Sequence, residues 1–413
     1  MRRQVLFSHK TALQLTLAVT FLALALLVSA PIRIHAIIAL LLIYSIGFLV
    51  VNRQKLVMTR QDWLVLLILS LYMASHLPVF VISGYSSRYL APGLHMMGII
   101  PIYLMLRMAL HDLDLKRFRA ALEYGGFAGS LGGAGIAVYE VYVLGQAKVD
   151  AFLFHINFGY LSASLFFLLV ALLPSSQRRA LVSAGALLAL LATLLSTSRG
   201  AVFAIPIVFT VLLVWQWRRI GAVYLVAALL GLGVLAIASY FSLPQVEDRI
   251  DVTVSEVERM LEGDFRDNSA GGRVRLWAAA IEAFKERPLV GLTYEERDSL
   301  NEELAGTGII NAWVTTISRG HAHSQYFETL ATGGLIGVVA LFFYLVFPAL
   351  HFFIRSRREP ENPYCFVGFV FSLGFIVFCL SEVPLQHEMI ATYYAFVLVL
   401  LFILTSRHTE SVA

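Results

Sequence analysis

Apolar runs of about 17 to 26 residues, parted by short charged stretches, recur along most of the chain. They fall at about 12–30, 34–51, 62–82, 93–110, 121–143, 156–173, 180–197, 201–217, 220–240, 325–350, 364–382 and 388–404. A helix needs roughly 20 such residues to cross the hydrocarbon core of a bilayer. The pattern therefore predicts an all-α polytopic membrane protein of about twelve transmembrane helices. One segment breaks it. Residues 241–322 carry Glu247, Asp248, Asp251, Glu256, Glu258, Glu262, Asp264 and Asp267. There Val246, Ile250, Val254, Val257 and Leu261 recur at helical spacing and predict an amphipathic helix over 245–262. A second helix is expected over 273–287, ended by Pro288, with loop over 291–320. Such a segment is too small for a large core of its own and should pack on the membrane bundle. The expected organisation is helices 1–9 over 1–240, a water-facing domain over 241–322, and helices 10–12 with a tail over 323–413.

Composition agrees with this reading: 59% of residues are apolar, 14% are charged and the mean hydropathy is +0.77. A water-soluble globule and a disordered chain are both excluded. The net charge of +4 is no nucleic-acid signal, because the basic residues sit between apolar runs. One set of connections holds Arg2, Arg3, Lys10, Arg53, Lys55, Arg60, Lys116, Arg117, Arg119, Arg178 and Arg179. It continues with Arg218, Arg219, Arg355, Arg357, Arg358 and Arg407, whereas the alternate short connections hold only Arg33, Arg88, Lys148 and Arg199. The richer side is cytoplasmic, which places both termini there and 241–322 outside. Arg2-Arg3 followed by an apolar run and Val28-Ser29-Ala30 imitates a signal peptide, but a second span follows at once, so it reads as a first transmembrane helix. Cys365 and Cys379 share one run, roughly 21 Å apart on a helix, and cannot pair.

Few motifs carry chemistry. Asp112-Leu113-Asp114 has a metal-holding form but reads as a charged loop at a helix start. The glycines of 125–135 suit close packing of helices rather than phosphate binding. Gly-x-Ser-x-Gly, Cys-x-x-Cys and His-Glu-x-x-His are all missing. Arg199 is different. It stands where two apolar runs meet on the outer side, where a charge is costly and usually functional. On the second loop helix, Arg273 shares a face with Trp277, Ala280 and Phe284, so it points at the bundle. Arg275 falls on the far side near Glu282 and Glu286, in a solvated pattern. His321 and His323 precede the tenth run. Two residues apart, they do not share a helix face. Gly333-x-x-x-Gly337 would let the following helix pack closely and hold His323 against the bundle.

These pieces, in this order, resemble the O-antigen ligase and polymerase superfamily. Ser198-Arg199-Gly200-Ala201 is similar to its outer-end motif. Asn268-Ser269-Ala270-Gly271-Gly272-Arg273, with Trp277 and Pro288-Leu289-Val290-Gly291, resembles its loop helix. His323-Ser324-Gln325-Tyr326-Phe327, then Gly334-Leu335-Ile336-Gly337, resembles its His-Asn-x-x-Leu…Gly-Leu-Ile-Gly segment; Ser324 and Phe327 replace the usual asparagine and leucine. The resemblance covers about residues 190–340.

It implies a GT-C-like glycosyltransferase of the bacterial inner membrane with a periplasmic active site. The enzyme would move a glycan from undecaprenyl pyrophosphate to lipid A-core oligosaccharide without metal or other cofactor. Arg199 and Arg273 would hold the pyrophosphate leaving group, since arginine grips phosphate by two prongs and keeps its charge. His323 would take the proton of the acceptor hydroxyl, a task suited to an imidazole. With no nucleophilic carboxylate in view, inversion by a single displacement is expected. Glu328, about five residues on, turns to another face. Arg88, His155, Arg275 and His321 are further candidate substrate contacts. An O-antigen polymerase is the alternative within the family. A secondary transporter is the alternative outside it, disfavoured because the ionisable residues gather at one surface and the halves show no repeat symmetry.

Overall fold

A computed structural model describes residues 6–31, 34–53, 56–242, 244–263, 269–310, 315 and 321–412. Arg2, Arg3, Arg33, Lys55, Asp264, Asp267 and Asn268, used above, lie outside the described residues, as do the side chains of Arg218 and Arg219. Among the described residues every regular element is helical.

The membrane part comprises α1 (His9–Ala25), α2 (Ile34–Asn52), α3 (Arg60–Ser75), α4 (Leu77–Ile82), α5 (Ala91–Met97), α6 (Ile100–Met108), α7 (Leu115–Val138), α8 (His155–Leu172), α9 (Arg179–Leu195) and α10 (Arg199–Ser242). The segment expected to face water holds α11 (Pro244–Leu261), α12 (Ser269–Glu286) and α13 (Tyr294–Gly306). Then come α14 (Gln325–Leu341), α15 (Phe347–Arg358), α16 (Pro363–Ser381) and α17 (Glu388–Val412). Among the described residues, six helical stretches are long and apolar enough to cross a membrane: Ile34–Asn52, Arg60–Ile82, His155–Ser175, Gln325–Arg358, Pro363–Ser381 and Glu388–Thr409. His9–Ala25, Arg179–Leu195 and Arg199–Trp215 are shorter apolar helices. The protein is a multi-pass helical membrane protein. α17 is apolar all round and buried along nearly its whole span, the mark of a central helix.

The expected break after Arg218-Arg219 does not interrupt the helix, for α10 is helical through all 44 residues. Straight, it would reach about 66 Å. Yet Val246, just beyond its end, lines one cavity with Arg199 and Phe203 at its start. The segment is therefore not one straight rod from Arg199 to Ser242. The run expected at 93–110 is divided into α5 and α6 around Gly98 and Ile99.

Small residues do the packing proposed for them. β-carbons on Gly125, Gly129, Gly132 and Gly133 would press into α1 and the turn after it, so α7 lies directly on that hairpin. Asp114 caps α7, accepting from the Lys116 and Arg117 amides, as a charged helix start should. Cys365 and Cys379 are free and buried.

The loop reading of 291–320 is corrected by α13. Thr293 and Glu296 form a reciprocal capping box at its start, a Thr-x-x-Glu signal that the sequence reading passed over. The close approach expected of Gly333 and Gly337 also moves, to Gly334. That residue takes φ +57° and breaks the helical run of α14. A β-carbon there would overlap the Leu289 carbonyl. The amides freed by the kink are not left bare: Leu335 N–H donates to Pro288 O at 2.8 Å and Ile336 N–H to Leu289 O at 3.2 Å. Leu292 N–H donates to Ala331 O at 2.8 Å. Pro288–Leu292 is thereby bonded to α14 along its backbone, which ties the connection between α12 and α13 to that helix.

Candidate active site

Arg199 opens α10 from a rigid seat. A β-carbon on Gly200 would collide with the hydroxyls of Tyr160 and Ser381, which hydrogen-bond to each other at 3.0 Å. Ala201 is fully buried beside Gly159. The small residues around Arg199 thus wedge its backbone between α8 and the outer end of α16. Its guanidinium turns to α11, where it donates to Glu256 and, at 3.4 Å, to Thr253 Oγ1.

Arg273, on α12, faces the same space. Arg199, Arg273, Trp277 and Ser381 line a cavity of about 320 Å³ together with the apolar Phe203, Ile207, Met260 and Leu380. Arg275 lies on the other side of α12 and donates to Ile309 O at 2.9 Å. The helical-wheel separation of the two arginines matches this arrangement, although Arg275 bonds a backbone carbonyl.

The turn His321-Ala322-His323 is held by its middle residue. Ala322 N–H donates to Glu328 Oε2 at 2.8 Å, and Trp277 Nε1–H donates to Ala322 O at 3.1 Å. Trp277 also stacks on Phe327, with ring centroids 5.0 Å apart and planes 9° apart. The phenylalanine that replaces the family's leucine therefore buttresses the cavity wall. Ser324, in place of asparagine, is buried and donates to Cys379 O at 3.3 Å. Glu328 faces away from the cavity, as its spacing required, and pairs with buried Arg297 at 2.8 Å. It also accepts from Gln386 at 3.3 Å.

His323 adopts φ +48°, a region costly for a residue with a β-carbon and found where surroundings over-determine it. Its Nδ1 lies 3.1 Å from Glu382 Oε2, and its peptide N–H donates to His321 Nδ1 at 3.2 Å. His321 Nδ1 lies 3.7 Å from Glu382 Oε1. Glu382 follows Ser381 directly, so the histidine–carboxylate pair begins one residue from the cavity wall. Gln325 N–H donates to its carbonyl at 2.9 Å and Val383 N–H to its Oε1 at 3.2 Å. Burial works against the Glu382 carboxylate. The hydrogen bond from His323 and the nearby charges of both histidines and Arg273 outweigh that and hold it below the usual range. Burial and the neighbouring His323 lower the basicity of His321, against the pull of Glu382. His321, His323 and Glu382 each offer a donor atom within 4.8 Å of the others, so these are the residues that could approach a cation.

Glu382, Glu256 and Arg297 were not among the expected residues. Glu382 did carry a signal, being a lone acid inside the apolar run expected over 364–382, where an ionisable residue is costly. The remaining candidates lie elsewhere. Arg88 sits 3.6 Å over the ring of Tyr294 on α13. His155, at the start of α8, has Nδ1 3.5 Å from Asp150. Neither lines the cavity of Arg199 and Arg273.

The structure thus brings two arginines to one cavity, with a histidine–carboxylate pair beside it. Residues 184–342 match the family described as O-antigen ligase, and they include Arg199, Arg273 and His323. Over that stretch the chain is similar to the O-antigen ligase and polymerase superfamily, as its motifs suggested. An uncharacterized protein of Haemophilus influenzae is 24% identical over 263 residues, which are 61% of this chain and 65% of that one. The exopolysaccharide production protein ExoQ of Rhizobium meliloti is 30% identical over 117 residues, 26% of this chain and 25% of its own. The matches thus span less than two thirds of either relative.

Proposed function

We propose that this chain is an O-antigen ligase, with twelve membrane crossings, both termini in the cytoplasm and residues 241–322 in the periplasm. It would transfer a glycan from undecaprenyl pyrophosphate to a sugar hydroxyl of lipid A-core. The observation that supports this reading is the shared cavity, lined by Arg199 and Arg273 together with apolar side chains. That is the complement of a pyrophosphate joined to a polyprenyl chain. In the reaction the bond from the glycan's C1 to the phosphate oxygen breaks, and the acceptor oxygen bonds C1 from the opposite face. The departing pyrophosphate gains negative charge, which two guanidinium groups stabilise. The acceptor's proton passes to His323. No metal or cofactor is needed for these steps.

The test measures donor binding and single-turnover transfer side by side for His323→Ala, Arg199→Ala and His321→Ala. Loss of the general base should slow transfer by about 10²–10⁴-fold and leave donor binding nearly intact. Replacing Arg199 should weaken donor binding too. His321→Ala should be mild. A His323→Ala protein that transfers at the wild-type rate would remove the base from this account, and strong inhibition by EDTA would indicate that the histidines hold a metal. The similarity to a protein named for exopolysaccharide production favours polymerisation as the second reading, with another lipid-linked glycan as acceptor.

A further inference from the structure

We propose that Glu382 is a positioning residue that fixes the tautomer of His323, while the peptide N–H of His323 fixes the opposite tautomer in His321. The inference rests on the reading of His323 as the base and adds what makes it, rather than His321, fit for that work. A neutral imidazole carries its proton on one nitrogen and a lone pair on the other, and the hydrogen bond at one decides the role of the other. Glu382 is an acceptor at His323 Nδ1, 3.1 Å away. That nitrogen therefore carries the proton, and the lone pair is on Nε2. His321 is reversed. Its Nδ1 accepts the His323 peptide N–H at 3.2 Å, so its proton lies on Nε2. Of the two rings, only His323 then carries its lone pair on Nε2. The same bond spends the His321 Nδ1 lone pair, which a cation bound there would need. Charged groups facing the pair from other elements are Arg273 on α12, Arg297 on α13 and Glu328 on α14.

The surroundings also decide what an isosteric replacement would do. Val383 N–H donates to Glu382 Oε1. In Glu382→Gln the amide oxygen would keep that bond, and the amide NH₂ would fall at the position of Oε2, facing His323 Nδ1. It would donate there, placing the imidazole proton on Nε2 and silencing the base. Glu382→Asp keeps an acceptor, although a shorter one.

The experiment uses the full-length protein in lipid nanodiscs, with undecaprenyl pyrophosphate-linked glycan as donor and lipid A-core as acceptor. Donor Kd and single-turnover rate are measured for wild type, Glu382→Gln, Glu382→Asp and His323→Ala. The expected result is a rate loss of about 10²-fold for Gln with donor Kd within about twofold of wild type, and a smaller loss for Asp; the scale is that of general-base help. A merely structural role predicts the reverse order, since glutamine preserves the shape. Wild-type transfer by Glu382→Gln, or a rate lower for Asp than for Gln, would overturn the inference. If His323→Ala is inactive while Glu382→Gln is fully active, the inference fails alone. If His323→Ala transfers normally, the base reading fails and takes this one with it.

Discussion

The carboxylate of Glu256 occupies the arginine that is proposed to hold the donor. Both side chains are only about a tenth exposed, at 10% for Arg199 and 11% for Glu256. A pyrophosphate can use that guanidinium fully only by displacing Glu256, and Glu256→Gln should ease the exchange. A hydrogen bond to a charged group contributes about 1.5–3 kcal/mol. Glutamine keeps the shape and an accepting oxygen but loses the charge, so about half of that, roughly 1.1 kcal/mol, is removed from the cost of displacement. This corresponds to a donor Kd about sixfold tighter. The assay is equilibrium binding of undecaprenyl pyrophosphate to nanodisc-embedded wild type, Glu256→Gln and Arg199→Ala at one ionic strength. An unchanged or weaker Kd for Glu256→Gln would refute the exchange of a carboxylate for a phosphate at Arg199.

Arg273→Ala should lose most transfer activity and Arg275→Ala should keep much of it, because only Arg273 lines the cavity; Arg273→Lys should also be poor, since an ammonium lacks the planar fork. Steady-state rates of the three variants check this, and greater sensitivity at Arg275 would contradict it. Gly334→Ala should destabilise the protein by about 1–3 kcal/mol, the scale of overpacking and of strained backbone, and read out as a lower Tm in a thermal-shift assay, because the β-carbon would strike Leu289. On topology, a cysteine at Ser255 should be labelled by an impermeant reagent in intact spheroplasts and one at Arg358 only after lysis. Both positions are exposed and the native cysteines are buried. The reverse pattern would defeat the orientation.

Elements governed by local pattern were legible before any coordinates. The apolar runs marked most of the membrane helices, and the 3.6-residue repeat separated Arg273 from Arg275. The glycines of α7 announced a close helix contact. Position α13 was legible in principle, since Thr293 and Glu296 form a local capping motif, but its polar run masked it. Other features depend on contacts between distant segments. Glu382 meets His323 across 59 residues and Glu256 meets Arg199 across 57. No periodicity within one helix reveals such a pairing. The kink at Gly334 is likewise set by Pro288 and Leu289, so its glycine-rich segment read as a packing motif when it is a docking site for backbone.

The most direct measurement incubates purified protein with undecaprenyl pyrophosphate-linked glycan and lipid A-core, without ATP or added metal and with EDTA present. The account predicts a glycan-bearing lipid A-core product from wild type and none from His323→Ala or Arg273→Ala. A longer lipid-linked glycan with no product on lipid A-core would instead establish a polymerase, and failure to transfer to either acceptor until a divalent metal is supplied would contradict the proposed mechanism.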